Sequence, residues 1–334
     1  MPELRKDPIT GRWGIVDTEH PSLPQEYDTE HHIQKETDCP FCYGNEYLTP
    51  TEIESFRDPQ TGPNTPGWQV RVVPNKFPAL KIEGTIDRKG LGIYDFSNGI
   101  GAHEVLIESP YHAKDTPDLL NEEIEKSISM ACRRSQDLRK DKRFKYIMIF
   151  KNYGPAAGAS LEHPHMQIIA LPMVPKNVQE EISGAKDYFK YRERCIFCDM
   201  LKQEETEKER IISENKLFTA FCPFASRFPF EIWILPKTHQ NCFCNITIEQ
   251  TTFLAAILKD TIGRIKTVFG DVAYNYIVHS SPCATDGEME SFHWHIELMP
   301  KLIRVAGFEW GSGFYFVPTP PEQAAKYLRK EKTQ

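Results

Sequence analysis

The sequence predicts an α+β fold of two tandem halves, each an antiparallel sheet covered by helices. First, one succession of signals occurs twice: a CxxC pair, strands ending near a histidine, a long helical stretch, a further strand and an HxH motif. Internal symmetry of this kind outweighs any single motif. Second, the candidate strands are short, β-branched or aromatic, and punctuated by Pro, Gly or Asn. Third, each half carries one long amphipathic helix, the pattern of an antiparallel sheet with helices laid over it.

The first half opens with CPFC (39–42), followed by the apolar strands WQVRVVPNKFPAL (68–80) and HEVLIESPYH (103–112). A helical stretch over 115–140 places Leu119, Ile124, Ile128 and Cys132 near helical spacing. FKYIMIFKN (144–152) and HPHMQIIALP (163–172) complete the half. The second half runs CIFC (195–198), LFTAFCPFASRFPFEIWILPKTH (217–239), a helix over 247–270, VAYNYIVHS (272–280) and FHWHIELMP (292–300). The expected domains are residues 1–175 and 190–334, with 172–194 as a link and a helical tail from about residue 322. Trp68, Trp233, Trp294 and Trp310 are expected in the core or at an interface.

With 334 residues, 40 % apolar, the chain has ample material for a core. Forty basic against 47 acidic residues give a net charge of −7, and no basic block is present, which argues against a nucleic-acid binder. No run approaches the ~18 to 20 apolar residues of a membrane span. MPELRKDPITGRW lacks the apolar stretch of a signal peptide, so a cytoplasmic location is expected. The nine cysteines should then stay reduced. Cys39/Cys42 and Cys195/Cys198 suggest metal ligation before disulfides, and the remaining five read as ordinary packed thiols.

The densest motif is ASLEHPHMQI (159–168). On a β-strand, residues i, i+2 and i+4 share a face, so His163, His165 and Gln167 should point the same way. Pro164 cannot donate to a ladder and places the strand start at an edge or bulge. The preceding KNYGPAAGAS supplies small residues, Gly154, Ala156, Ala157, Gly158 and Ser160, that let backbone approach a ligand, as suits a phosphate. A solvated strand face would explain a lone HxH. It does not explain the small-residue loop, the in-phase glutamine and the second HxH together.

These residues carry a resemblance. From ELRKDPITGRW through CPFC, RVVPNKFPAL, HEVLIESPYH and NYGPAAGASLEHPHMQ to FPFEIWILPKTH and HWHIELMPKL, the chain resembles the galactose-1-phosphate uridylyltransferase family of the histidine triad superfamily. The resemblance implies two histidine-triad-like halves and a double displacement. His165 would attack the α-phosphorus of a nucleoside diphosphate sugar, release sugar 1-phosphate and hold the nucleotide until a second phosphorylated acceptor takes it. Imidazole suits this step, being largely neutral and nucleophilic at pH 7. Gln167, with Ser160 and the loop N–H groups of Gly154 to Gly158, would stabilise charge at phosphorus, and Asn152 is a further candidate.

By the same resemblance Cys39, Cys42, His112 and His163 bind zinc, a normal closed tetrahedral set; His103 competes with His112 for the third place. Cys195, Cys198, His239 and His293 repeat the pattern, so a second zinc is expected. Some members instead hold a metal with a glutamate and three histidines, for which Glu181, His279, His293 and His295 are available. His295 occupies the position analogous to His165 but lacks the loop and has Glu297 in phase, so no second nucleophile is expected. Asn75 matches a position near the nucleotide, and Glu309, Gly311, Ser312, Gly313 and Tyr315 match a segment that reaches the sugar or phosphate.

In two places the chain departs from the usual pattern. DTEHPSLP has His20 and Leu23 where the family carries phosphate-binding arginines, and GFEWGSG resembles the branch that includes ADP-glucose phosphorylase and thermophile uridylyltransferases. The expected function is a hexose-1-phosphate uridylyltransferase working on a nucleoside diphosphate sugar and a sugar 1-phosphate. The alternatives are an adenylyl-transferring phosphorylase relative and a zinc-stabilised nucleotide binder without turnover. Neither nucleic acid nor membrane is expected as a partner. A homodimer is implied by resemblance alone.

Overall fold

The structure is a computed structural model that describes residues 1–29, 38–112, 115–283 and 289–330. Its first half comprises β1 (Glu3–Lys6), β2 (Trp13–Val16), β3 (Glu54–Arg57), β4 (Trp68–Pro74), β5 (Lys89–Leu91), β6 (Tyr94–Phe96), β7 (Ala102–Ile107), α1 (Asn121–Leu138), β8 (Tyr146–Tyr153) and β9 (His165–Leu171). The second comprises α2 (Lys176–Arg192), α3 (Ile196–Glu207), β10 (Ile211–Glu214), β11 (Phe218–Phe221), β12 (Ile232–Pro236), α4 (Ile248–Phe269), β13 (Tyr274–His279), β14 (His295–Pro300), α5 (Gly307–Ser312), β15 (Tyr315–Val317) and α6 (Pro321–Arg329).

Ten strands form one antiparallel sheet in the order β3-β4-β7-β9-β8-β13-β14-β12-β11-β10. Each half therefore contributes five strands in the same relative order, β3-β4-β7-β9-β8 and β10-β11-β12-β14-β13. The halves meet where β8 pairs with β13, from Tyr153 opposite Tyr274 to Ile149 opposite Val278. The duplication expected from the sequence is thus visible as two five-stranded units sharing one sheet.

Alternation along the central strands assigns the faces. Ile147, Ile149, Met166, Ile168 and Ala170 pack in one core with Ile124, Ile128 and Ala131 of α1 and Leu254, Leu258 and Ile262 of α4. α4 begins in a capping box, Thr247 accepting from the Gln250 N–H and the Gln250 side chain from the Thr247 N–H. It ends at Gly270, whose positive φ of 73° a side chain would resist. On the opposite face, α2 and α3 cover the second half through Val178, Ile182, Ala185, Phe197 and Leu201.

Two features differ from expectation. Residues 172–194 are largely the helix α2, whose Val178, Ile182 and Ala185 are buried, so they form part of the second unit's packing as well as the connection. Cys242 and Cys244, expected as packed thiols, are joined in a disulfide. Trp68, Trp233 and Trp294 are buried, and Trp310 is 78 % exposed on α5. A small separate sheet, β1-β2-β15, ties the N-terminus to the C-terminal segment. No described helix is long and apolar enough to cross a membrane.

Beneath the central strands lies a buried ion cluster. Lys151 Nζ sits 2.6 Å from Glu108, 3.0 Å from Asp115 and 2.9 Å from the Thr116 hydroxyl. Asp115 also accepts from Tyr274 OH at 2.8 Å and pairs with Lys266 at 3.1 Å, linking the two halves. Burial pushes the Asp115 pKa up, but the Lys151 and Lys266 charges outweigh it and hold the group at about 2. Removing one partner of a buried pair costs roughly 3–5 kcal/mol, so Asp115→Asn should lower the unfolding free energy by that amount at pH 7. The folded pKa lies below the ordinary 3.8, so this contribution is complete above the unfolded pKa and is lost as pH falls towards about 2. Urea titrations at pH 7 and pH 3 should show the gap between wild type and variant narrowing at the lower pH.

Candidate active site and metal centres

β9 begins at His165, two residues later than the HxH motif, because Pro164 has no N–H to offer a ladder. His165 and Gln167 face away from α1 and α4. The Nδ1 of His165 lies 2.8 Å from the carbonyl oxygen of His163. A carbonyl can only accept, so Nδ1 carries the proton and the lone pair is on Nε2. Burial lowers the His165 pKa, the bond to His163 opposes this, and the Lys151 charge lowers it further. The imidazole is therefore held neutral, the form that attacks. Phe41 packs edge-on at 5.3 Å between ring centroids and restricts the ring.

Asn152 stands one residue beyond the Lys151–Met166 pair of β8 and β9, alongside His165. Gln167 Oε1 contacts His103 Nε2 at 2.8 Å, and Asn75 Nδ2 lies 3.1 Å from the same nitrogen. The structure thus gathers His165, Gln167, Asn152 and Asn75 into one place. His103, weighed in the sequence only as a competing zinc ligand, belongs to this cluster instead. Its position on β7, two residues before Val105, which pairs with Gln167, puts it on the face of Gln167.

The loop between β8 and β9 is less open than its composition suggests. The N–H groups of Ala157, Gly158 and Ala159 donate to the carbonyls of Gly154, Pro155 and Gly154. Gly154 and Gly158 serve its turn with φ of 93° and 85°. Ser160 is exposed at its end. The loop's own bonds consume those three donors, so the carboxamides beside His165 are the nearer source of N–H groups for a phosphate.

Cys39, Cys42, His112 and His163 form one group with ligand atoms within 4.8 Å of one another. The sulfur–nitrogen separations are 3.6 Å for Cys39–His163, 3.4 Å for Cys42–His112 and 3.6 Å for Cys42–His163. A tetrahedron with metal–sulfur bonds of about 2.3 Å and metal–nitrogen bonds of about 2.0 Å has such edges at about 3.5 Å. His163 Nε2 donates to Ser109 O at 2.7 Å, which turns its Nδ1 lone pair towards the sulfurs. Burial, the largest influence, lowers the His163 pKa to about 4, keeping it neutral as a ligand must be.

Cys195, Cys198, His239 and His293 form a second such group, with Cys198 Sγ 3.4 Å from His239 Nδ1 and 3.5 Å from His293 Nδ1. His293 thus joins the cysteines and leaves Glu181, His279 and His295 as a third group. There His279 bridges Glu181 at 2.9 Å and Glu297 at 3.2 Å, and Arg227 pairs with Glu297. Burial opposes charge on His279, but the two carboxylates raise its pKa to about 10. An ion at these residues and a proton on His279 would compete for the same imidazole. His295 is 0 % exposed, stacked between Trp233 and His279 with Phe197 tilted over it, whereas His165 is 5 % exposed. The position analogous to the nucleophile is filled with side chains.

The segment offered as a sugar contact turns back on itself. Glu309 caps the Ala306 N–H at 2.9 Å, and Ser312 Oγ donates to Phe308 O at 2.6 Å and accepts from Phe314 N. Gly311 is exposed, Gly313 ends α5 in the left-handed region, and Tyr315 packs on Phe228 at 5.5 Å. None of these bonds leads to His165.

Comparison with known proteins finds relatives along nearly the whole chain. ADP-glucose phosphorylase from Arabidopsis thaliana is 36 % identical over 335 residues, 98 % of this chain and 93 % of that protein. The chain belongs to the galactose-1-phosphate uridylyltransferase family. Residues 181–329 match the family's C-terminal domain profile, and 99–174 match the N-terminal domain of DUF4931, a domain of unknown function. The family's Thermotoga maritima galactose-1-phosphate uridylyltransferase is 29 % identical, covering all of both chains. Among solved structures, Arabidopsis ADP-glucose phosphorylase with bound ADP-glucose superposes with a TM-score of 0.83 at 34 % identity, over 99 % of this chain and 100 % of that one. A uridylyltransferase superposes at 0.76 and 28 %, over 98 % of each.

The two Cys2His2 groups give a metal prediction. Elemental analysis should find roughly two equivalents of metal per chain. Cys42→Ser and Cys198→Ser should each remove one, and extended chelation should lower the melting temperature. An unchanged count in either variant would strike that group from the ligand sets.

Proposed function

We propose that this member transfers a nucleotidyl group from a nucleoside diphosphate sugar to a phosphate-bearing acceptor, with His165 as covalent carrier. The observation that carries the proposal is the Nδ1–H···O=C bond from His165 to His163, which leaves the lone pair on Nε2, on the sheet face that also carries Asn152 and Gln167. Nε2 would attack the α-phosphorus and the bond to the sugar 1-phosphate oxygen would break. The resulting imidazolium keeps its Nδ1 proton on the His163 carbonyl. In the second half-reaction an acceptor phosphate oxygen attacks the same phosphorus and the P–N bond breaks, restoring neutral His165. A phosphate ester leaves readily, so charge stabilisation by donors is the larger need.

Zinc in the two Cys2His2 groups would serve structure. Cys39, Cys42, His112 and His163 would hold one ion, anchoring the carbonyl that fixes the nucleophile. Cys195, Cys198, His239 and His293 would hold the other.

For the base and acceptor, the greater identity to ADP-glucose phosphorylase favours adenylyl transfer from ADP-glucose to inorganic phosphate, giving ADP and glucose 1-phosphate. His20 and Leu23, in place of phosphate-binding arginines, fit a smaller acceptor. The uridylyl reading, UDP-glucose with galactose 1-phosphate, rests on the Thermotoga relative. We also infer a homodimer, because Leu91, Ile93, Tyr94 and Phe96 of the β5–β6 hairpin and Phe308 and Trp310 of α5 expose apolar surface.

Trapping tests the reading. With ADP-glucose and no acceptor, intact-protein mass spectrometry should show an adenylyl adduct that maps to His165 and is absent in His165→Ala, which should retain its metal. A uridylyl adduct from UDP-glucose in its place would reverse the base assignment. Labelling that survives in His165→Ala would remove the nucleophile.

A further inference from the structure

A carboxamide presents an N–H donor at one end and a carbonyl acceptor at the other, and a half-turn exchanges them. Beside an anionic phosphate the choice decides the sign of the interaction. The structure assigns that choice to His103 and Asn275, which hold the oxygens of Gln167 and Asn152 and so turn both NH2 groups towards the substrate of His165. The assignment rests on the nucleotidyl-transfer reading for its function, though not for its geometry.

Each orientation is anchored on a backbone group of fixed polarity. The Ala79 N–H donates to His103 Nδ1 at 3.2 Å, so that nitrogen is the acceptor and Nε2 carries the proton. Nε2–H then donates to Gln167 at 2.8 Å, which must present Oε1. On the other side, Asn275 Nδ2 donates to the Ala157 carbonyl at 2.9 Å. The same NH2 donates at 2.7 Å to Asn152, which must present Oδ1. A flip of either carboxamide would set donor against donor.

Asn75 extends the set. Its Oδ1 takes the Phe77 N–H at 2.9 Å, so its Nδ2 faces His103 Nε2–H at 3.1 Å as donor beside donor. That pair is not a hydrogen bond, which leaves the Asn75 protons for a ligand. The loop N–H groups of Ala157, Gly158 and Ala159 are spent within the loop, so the carboxamides carry the donor role that loop backbone would otherwise fill.

His103 and Asn275 are positioning residues. Asn275 comes from the second half, directly opposite Asn152 in the β8–β13 register. The half whose own nucleophile position is buried thereby helps build the site of the other.

Two measurements test the assignment. Neutron diffraction on deuterium-exchanged wild-type crystals distinguishes ND2 from oxygen and needs no turnover. It should show deuterium on His103 Nε2, Gln167 Oε1 facing it, and Asn152 Oδ1 facing Asn275; the opposite orientation at either carboxamide overturns that role. Double-mutant cycles then read the function as the rate of nucleotidyl-His165 formation. Gln167→Ala and His103→Ala should each slow that step about a hundredfold at saturating donor, with little change in half-saturating concentration. The double variant should be no slower than Gln167→Ala alone. Asn152→Ala and Asn275→Ala should behave as the second such pair. Losses that multiply overturn the proposal. If the neutron orientations hold but wild type takes no nucleotide from ADP-glucose or UDP-glucose, the geometry stands and the transfer reading falls.

Discussion

Where β8 pairs with β13, Asn152 meets Asn275 on one face of the sheet and Tyr153 meets Tyr274 on the other. That junction joins the two halves into ten continuous strands and sets the register of every site residue on β8. Below it, Lys151, Asp115, Lys266 and Tyr274 form a buried cluster drawn from both halves. Above it, His165 stands on the neighbouring strand. A slip of one residue would exchange the two faces, placing Lys151 in the site and Asn152 in the core. Burial of one face and the ion cluster together exclude that register.

The two halves show what distinguishes a working site from its copy. Both keep a Cys2His2 group and a histidine two residues after its last ligand. In the first half that histidine is flanked by two carboxamides and a glycine-containing loop. In the second, α3 and Trp233 close over His295, and Glu297 pairs with Arg227 and His279. The scaffold needs the metal-ligand pattern in both places, since it staples the end of a strand to the chain entering each unit. The proposed phosphate chemistry needs neutral donors, which Gln167 and Asn152 supply in the first half.

The metal group and the nucleophile are coupled through main chain. His163 gives its Nδ1 to the cysteine cluster, its Nε2–H to Ser109 and its carbonyl to His165. One residue therefore fixes the position of the strand end and the tautomer of its neighbour's ring. This answers why two histidines alternate with a glutamine: the first is held, the second is aimed by it, and the third side chain, two residues on, reaches the same face.

Much of this was legible in the sequence because it is local or repeated. The CxxC pairs, the HxHxQ spacing and the twofold order of strands and helices specify the α+β halves, the two cysteine pairs and the common face of His163, His165 and Gln167, since period-2 alternation acts over a few residues. The histidine partners of the cysteines and the role of His165 were implied by the family resemblance. Two ligand sets claimed His293; the sequence favoured the cysteines, and the structure groups it with them. His103, whose partner Gln167 is 64 positions away, was not legible, nor was Asn275, whose partner Asn152 lies in the other half. The Gly154–Gly158 loop reads as a row of free donors until its turn is folded and the N–H groups of Ala157, Gly158 and Ala159 are seen to donate within it. The sequence by itself determined which side chains could do the chemistry; the tertiary structure decided which of them meet and which way their hydrogen-bonding ends point, because donor polarity is set by partners that only long-range strand pairing brings within reach.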